Sequence, residues 1–175
     1  MLFYDEAFFK LKTTIKRGWY LKGSAPTVTS RNVFAKIGVH SSVNSSSGEL
    51  FSLMFDDFDT QTFVIYLQEL LIHKKKNGNT KKTVIVLDNA SPHKSKATKN
   101  FVQQHSDKLE LLYLPPYSPD LNPQERVWKD IRYTRTHNRY FEDKSELLGI
   151  IEKYLKDYSI PNQKLLNLCR VISVV

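Results

Sequence analysis

An α/β fold is what the sequence predicts: a mixed five-stranded sheet, an antiparallel meander plus parallel strands, flanked by helices. Three observations carry that expectation. The chain opens on an aromatic-rich strand pattern and adds two more strand patterns before any helix. From residue 60 to 105, helical periodicity then alternates with strand-like runs. One of these runs, Thr83 to Leu87, is unbroken, as expected of a strand covered on both faces.

Leu2 to Leu11 is the first strand. Side chains alternate faces along it, so Phe3, Asp5, Ala7 and Phe9 share one face and Glu6 points the other way. Gly18 to Gly23 and Pro26 mark a turn region. Val33 to Val43 is the second strand, the Asn44–Gly48 run is a turn, and Leu50 to Phe55 is the third strand. Asp59 or Thr60 caps a helix whose Phe63, Leu67, Leu70 and Leu71 fall at i, i+4, i+7 and i+8. Thr83 to Leu87 is the fourth strand and Leu109 to Leu114 the fifth, stopped by Pro115-Pro116. Asn122-Pro123 starts a helix through about Tyr133, and helices follow over Lys144 to Asp157 and Asn162 to Leu168. This order of elements is that of an RNase H-like fold in a single domain spanning residues 1–175.

Composition narrows the function. With 175 residues and 41% hydrophobic content the chain suits one globular domain with a true core. No apolar run reaches the ~18–20 residues of a membrane span, and the start lacks a signal-peptide pattern. Cys169 is the single cysteine, which excludes an internal disulfide and a multi-cysteine zinc site. A reducing, cytoplasmic setting is the simplest expectation. Net charge is +8, unevenly placed. Between Ala7 and Gly48 every charged side chain is Lys or Arg, and His73 to Lys82 adds lysines with no acid. Such one-sidedness favours a polyanionic partner, nucleic acid above all.

Three acids stand where chemistry would need them. Asp5 lies within the first strand, Asp88 ends the fourth, and Glu125 begins a helix. Phosphoryl transfer on nucleic acid uses carboxylates around two ions ~3.5–4 Å apart, and Mg²⁺ prefers such hard oxygen ligands. Each acid also has an ordinary reading. Asp5 could be a solvated strand residue, and Asp88-Asn89 a strand-ending turn. Glu125 with Asn122 and Pro123 matches a capping-box-like helix start. His93 could be a satisfied histidine at a helix start.

The run Ser118-Pro119-Asp120-Leu121-Asn122-Pro123-Gln124-Glu125, followed by Trp128, is longer than a helix start requires. With Leu87-Asp88-Asn89 to His93, the Asp5-Glu6 start, Trp19, Gly23 and the Thr136–Phe141 segment, it resembles the DDE transposases of the mariner-like superfamily, in their bacterial and archaeal insertion-sequence branch. The resemblance covers residues from about 2 to 142. It implies that Asp5, Asp88 and Glu125 are the catalytic, metal-holding acids. Mg²⁺ would be the cofactor, with Mn²⁺ substituting. The implied reaction is hydrolysis at transposon ends, then attack of the freed 3′-hydroxyl on target DNA. Asn89, His93 and Asn122 would support the acids.

Glu125, Lys129 and Arg132 fall on one helix face, and a basic stripe there could guide a DNA backbone. A surface Glu–Lys pair explains the same spacing equally well. Lys94, Lys96, Arg135 and Arg139 are further candidates for phosphate contact. Family members carry a helix-turn-helix region ahead of the first catalytic strand, and this chain begins almost at that strand. A truncated piece of a longer chain is one expectation, a separate helix-turn-helix subunit another and an inactive, DNA-binding remnant a third. A homodimer at paired ends follows from the family's chemistry, with Lys12 to Asn32 the stretch where a dimerisation loop could sit. The Asp88-to-Glu125 interval is slightly longer than the family's commonest spacing, which loops can absorb. Another RNase H-like nuclease or resolvase would share the acids without strand transfer.

Overall fold

The computed structural model describes residues 1–24, 26–30 and 33–170. Of the expected loop Lys12 to Asn32, Ala25, Arg31 and Asn32 lie outside the described residues. Five strands form one sheet: β1 (Leu2–Lys10), β2 (Lys36–Asn44), β3 (Leu50–Phe55), β4 (Thr83–Leu87) and β5 (Leu109–Tyr113), in the order β3-β2-β1-β4-β5. The first three are antiparallel and the last two add in parallel beside β1. The helices are α1 (Thr60–Lys76), α2 (Lys96–Gln104), α3 (Gln124–Ile131), α4 (Lys144–Asp157) and α5 (Gln163–Cys169). None is long and apolar enough to cross a membrane.

Strand alternation divides the core in two. Phe3, Ala7 and Phe9 of β1 pack with Val39, Val86, Val127, Trp128 and Ile151 on the face covered by α3, α4 and α5. Leu2 and Tyr4 pack with Phe63, Tyr66, Leu67, Leu70 and Leu87 on the face covered by α1 and α2. Asp5 therefore belongs to the α3 face and Glu6 to the α1 face, as the alternation predicts.

Most boundaries agree with the sequence, and the exceptions have local causes. β2 starts at Lys36 rather than Val33, because its pairing ends at Lys10↔Lys36 and the Leu11 N–H takes the Ala35 carbonyl beyond it. Asp59 caps α1 in a reciprocal box with Thr62. The helix expected to run to Tyr133 ends as α-helix at Ile131 and widens into a π-turn over Arg132–Thr136. There the Thr134 hydroxyl donates to the Asp130 carbonyl at 2.7 Å and His137 N–H closes on Arg132 O at 2.8 Å. Hydroxyls that bond back to the helix loosen its regular ladder.

One turn ties the meander to the C-terminal helices. Gly48 has φ +71°, and a Cβ there would lie 2.2 Å from the Asn162 carbonyl and 2.5 Å from Leu166 N. Only glycine allows that approach. Leu50 N–H also donates to Tyr158 O at 2.8 Å, so β3 and the end of α4 are fastened beside it.

Candidate active site

β1 and β4 run parallel with Phe3 opposite Val86, so Asp5 and Asp88 each lie two residues further along neighbouring strands. The apolar run of β4 places its end firmly, and Asp88 is the first residue beyond it. α3 lies over β1 because Val127, Trp128 and Ile131 are buried there. Its start is pinned by Asn122, whose Nδ2 donates to Tyr4 O at 2.8 Å and whose Oδ1 accepts from Gln124 N–H at 3.1 Å. As a result Asp5, Asp88 and Glu125 line one cleft of about 420 Å³, with Asn89, Asn122 and the Leu114–Pro119 segment.

The capping-box alternative for Glu125 is not realised. The Asn122 N–H, which that motif would hand to the Glu125 carboxylate, donates instead to Pro119 O at 2.9 Å. Glu125 is left facing Asp5. Burial pushes the Asp5 carboxyl up, and the Glu125 charge adds to it, so that its pKa rises to about 7. The Trp128 indole works the other way, donating to Asp5 Oδ2 at 2.9 Å.

Asp88 sits in a different field. His93 beside it, and the Ala90 N–H at 3.0 Å, hold its carboxyl below the ordinary range. His93 Nδ1 lies 2.8 Å from Asp88 Oδ1, a short contact off the N–H axis that acts as an ion pair more than as an aligned hydrogen bond. Its Nε2 lies 3.0 Å from Glu6 Oε1. Burial alone would lower the His93 pKa, but Asp88 and Glu6 overcome it and raise it to about 9. Asn89 fastens the cleft wall by donating to Leu114 O at 2.6 Å.

The Asp5 shift carries a stability consequence. Its folded pKa lies above its ordinary 3.8, so the folded chain holds the proton more tightly and loses stability as pH rises from about 4 to 7. Asp5→Asn is expected to remove that loss. Without metal, its melting temperature should exceed that of the parent at pH 8 by about 4–8 °C, for a gain on the order of 2 kcal/mol, and match it near pH 4. Thermal melts at the two pH values check this.

Among the described residues, no group of three His, Cys, Asp or Glu side chains is gathered tightly enough to enclose an ion. Uncompensated carboxylates repel one another, and Asp88 is turned toward His93. The donors are nonetheless of one kind, hard carboxylate oxygens on a shared cleft.

Of the six basic candidates, the structure brings Lys129 and Arg132 together. They line a groove of about 950 Å³ with Lys10, Lys16, Arg17 and Arg126. Asp130 is the one acid among its described lining residues, and the Tyr154 hydroxyl and Lys164 occupy it, each at 2.7 Å. A smaller recess, lined by Pro119, Asp120, Asn122, Glu125, Arg126 and Lys129, shares residues with both this groove and the acidic cleft. Sequence reading missed Lys10, Lys16, Arg17 and Arg126. The first three lie in the acid-free run, which was the available signal. Lys94 instead sits 5.2 Å above the Tyr113 ring, and Arg139 is paired with Glu146 at 3.4 Å. Lys96 begins α2 and Arg135 lies in the π-turn, neither lining cleft or groove.

Comparison with known proteins identifies the family and the fold. The family described as DDE superfamily endonuclease matches residues 1–148. The insertion element IS630 uncharacterized 39 kDa protein of Shigella sonnei is 25% identical over 159 residues, covering 90% of this chain and 45% of that protein. The chain thus spans about half the length of the curated relatives it matches. The fold is similar to the catalytic domain of Mos1 mariner transposase, with TM-score 0.67 and 11% identity over 96% of this chain and 74% of that one. A Mos1 mariner paired-end complex with Mn gives TM-score 0.74 and 15% identity, covering 96% of this chain and 51% of that one.

Proposed function

The chain belongs to the DDE superfamily endonucleases, and on that premise we propose that residues 1–175 act as the single catalytic domain of a transposase. It would cut DNA at transposon ends and join the freed 3′-hydroxyl to target DNA. The observation that carries the reading is the convergence of Asp5, Asp88 and Glu125, from two neighbouring strands and a helix start, on one cleft that opens toward a basic groove.

Asp5, Asp88 and Glu125 are the residues that would hold divalent metal, Mg²⁺ with Mn²⁺ as a substitute. The raised Asp5 pKa supports this fit, because a cation would offset the burial of its charge and relieve the repulsion from Glu125. Bound there, such ions supply activation of the attacking oxygen and stabilisation of the leaving one. The chain's own contribution is placement. Trp128 fixes Asp5, His93 and the Ala90 N–H fix Asp88, and Asn122 fixes the helix start that carries Glu125. The groove cations Lys129 and Arg132 would take backbone phosphates, sequence-independently and with strong salt dependence. Lys94, Lys96, Arg135 and Arg139 are left to more distant phosphate contacts. Selection of ends is assigned to a helix-turn-helix region of the kind the family carries, and pairing of ends to a homodimer. Exposed apolar side chains between β1 and β2, Trp19, Leu21 and Phe34, support the pairing. A DNA substrate would place the work in the cytoplasm, at the nucleoid.

The test uses supercoiled plasmid and a duplex oligonucleotide with a free 3′-hydroxyl transposon end. With Mg²⁺ or Mn²⁺ the chain is expected to nick the plasmid and to join the oligonucleotide to it. Nicking without joining would mark a nuclease, and nicking that persists in a chelator would contradict the metal mechanism.

A further inference from the structure

Alternation along β1 gives Asp5 to the cleft and turns Glu6 away from it, toward α1. Glu6 nonetheless reaches the site from beneath. Its side chain is 14% exposed, and Oε1 lies 3.0 Å from His93 Nε2. His93 is 1% exposed, wedged against Tyr4 and Phe63 with ring centroids 5.5 and 4.4 Å away, and its other nitrogen meets Asp88. One buried imidazole is thus flanked by two carboxylates, one at each nitrogen. The ring is therefore anchored at Nε2 by the hydrogen bond to Glu6 and meets Asp88 at Nδ1 as a close charge contact.

We propose that Glu6 is a positioning residue for Asp88, holding the buried His93 ring in place against Asp88 Oδ1. The proposal rests on reading Asp88 as a metal ligand. Both contacts of Asp88, with His93 and with the Ala90 N–H, are made through Oδ1, on a side chain that is 57% exposed. Without Glu6 the ring loses its anchor at Nε2 and can turn away from Asp88, which weakens that carboxylate as a ligand, as happens when partners that orient metal ligands are removed. The adjacent pair Asp5-Glu6 would therefore serve the site from both faces of one strand.

A plain strut is the competing account: the same contacts could merely fasten the Ser91–Lys94 turn to β1. Glu6→Gln separates the two, because it keeps the shape and removes the charge. Mn²⁺ affinity by electron paramagnetic resonance is expected to fall ten- to hundredfold in the folded variant. The imidazole nitrogen signals of His93 and the carboxyl carbon signal of Asp88 should shift with it. A strut would lower the melting temperature and move the His93 signals while leaving Mn²⁺ affinity and the Asp88 carboxyl signal as in the parent, which would overturn the proposal. If the parent chain binds no Mn²⁺, the metal reading fails by itself. The Asp88 carboxyl signal then decides on positioning: a shift supports it, and its absence overturns it. Should Glu6→Gln not fold, Glu6→Asp keeps the charge one methylene further back. It is expected to move the Asp88 carboxyl signal, and an unmoved signal there overturns the proposal equally.

Discussion

Asp88→Ala and Glu125→Ala are each expected to lower metal-dependent DNA cleavage about 10³-fold or more while duplex affinity stays within a few-fold of the parent. The magnitude follows from what the carboxylates are asked to do. Charge stabilisation around a transferring phosphoryl group amounts to several kcal/mol, and each ~1.4 kcal/mol is tenfold in rate. DNA affinity should survive because it belongs to another part of the surface. The groove cations Lys10, Lys16, Arg17, Arg126, Lys129 and Arg132 are spatially separate from Asp88, and removing an acid from a cleft beside them cannot weaken attraction for phosphate. Plasmid nicking and a filter-binding or anisotropy titration, run on the same preparations, separate the two effects. Cleavage within tenfold of the parent in either variant would remove that residue from the site.

Trp128→Ala is expected to have the largest effect on stability. The side chain is 1% exposed, packs edge-on to Phe9 with centroids 5.9 Å apart, and lies in the core cluster between α3 and the sheet. Truncating a buried Trp costs ~3–5 kcal/mol, or about 6–20 °C in Tm for a chain of this size. The same change frees Asp5 Oδ2, since the indole N–H at 2.9 Å is its side-chain donor. Trp128→Phe tells the two roles apart. It keeps most of the packing and deletes the donor, so it should melt within a few degrees of the parent. Without that donor the Asp5 carboxyl should titrate above its present value of about 7, because the hydrogen bond that favoured its charged form is gone. Carboxyl carbon shifts followed against pH measure it.

The sheet was legible because its signals are local. Alternation along β1 assigns Asp5 and Glu6 to opposite faces, and the unbroken Thr83–Leu87 run marks a strand covered on both sides. The helix break at Ile131 was not legible, since it depends on hydroxyls of Thr134 and Thr136 turning back on the ladder. Among the acids, each of which had an ordinary reading, Glu125 had the sharpest one. Its spacing from Asn122 fits a cap, and only the competing Pro119 carbonyl, which takes the Asn122 N–H, shows that the cap does not form. Glu6 could not be read at all. Its partner His93 is 87 positions away, and strand alternation by itself argues that Glu6 is uninvolved. The basic candidates divide for a similar reason. Helical spacing places Lys129 and Arg132 together, while the pairing of Arg139 with Glu146 and the seat of Lys94 over Tyr113 arise from packing.

Central to this account is that Asp5, Asp88 and Glu125 form one divalent-metal site. The most direct measurement is a Mn²⁺ titration of the isolated chain, followed by electron paramagnetic resonance, beside Asp5→Asn, Asp88→Asn, Glu125→Gln and the triple variant. Each single change is expected to weaken binding at least ~10-fold, as loss of a ligand costs no less than loss of a partner that orients one, and the triple variant should bind none in the same range. A triple variant that binds Mn²⁺ as the parent does would contradict the account.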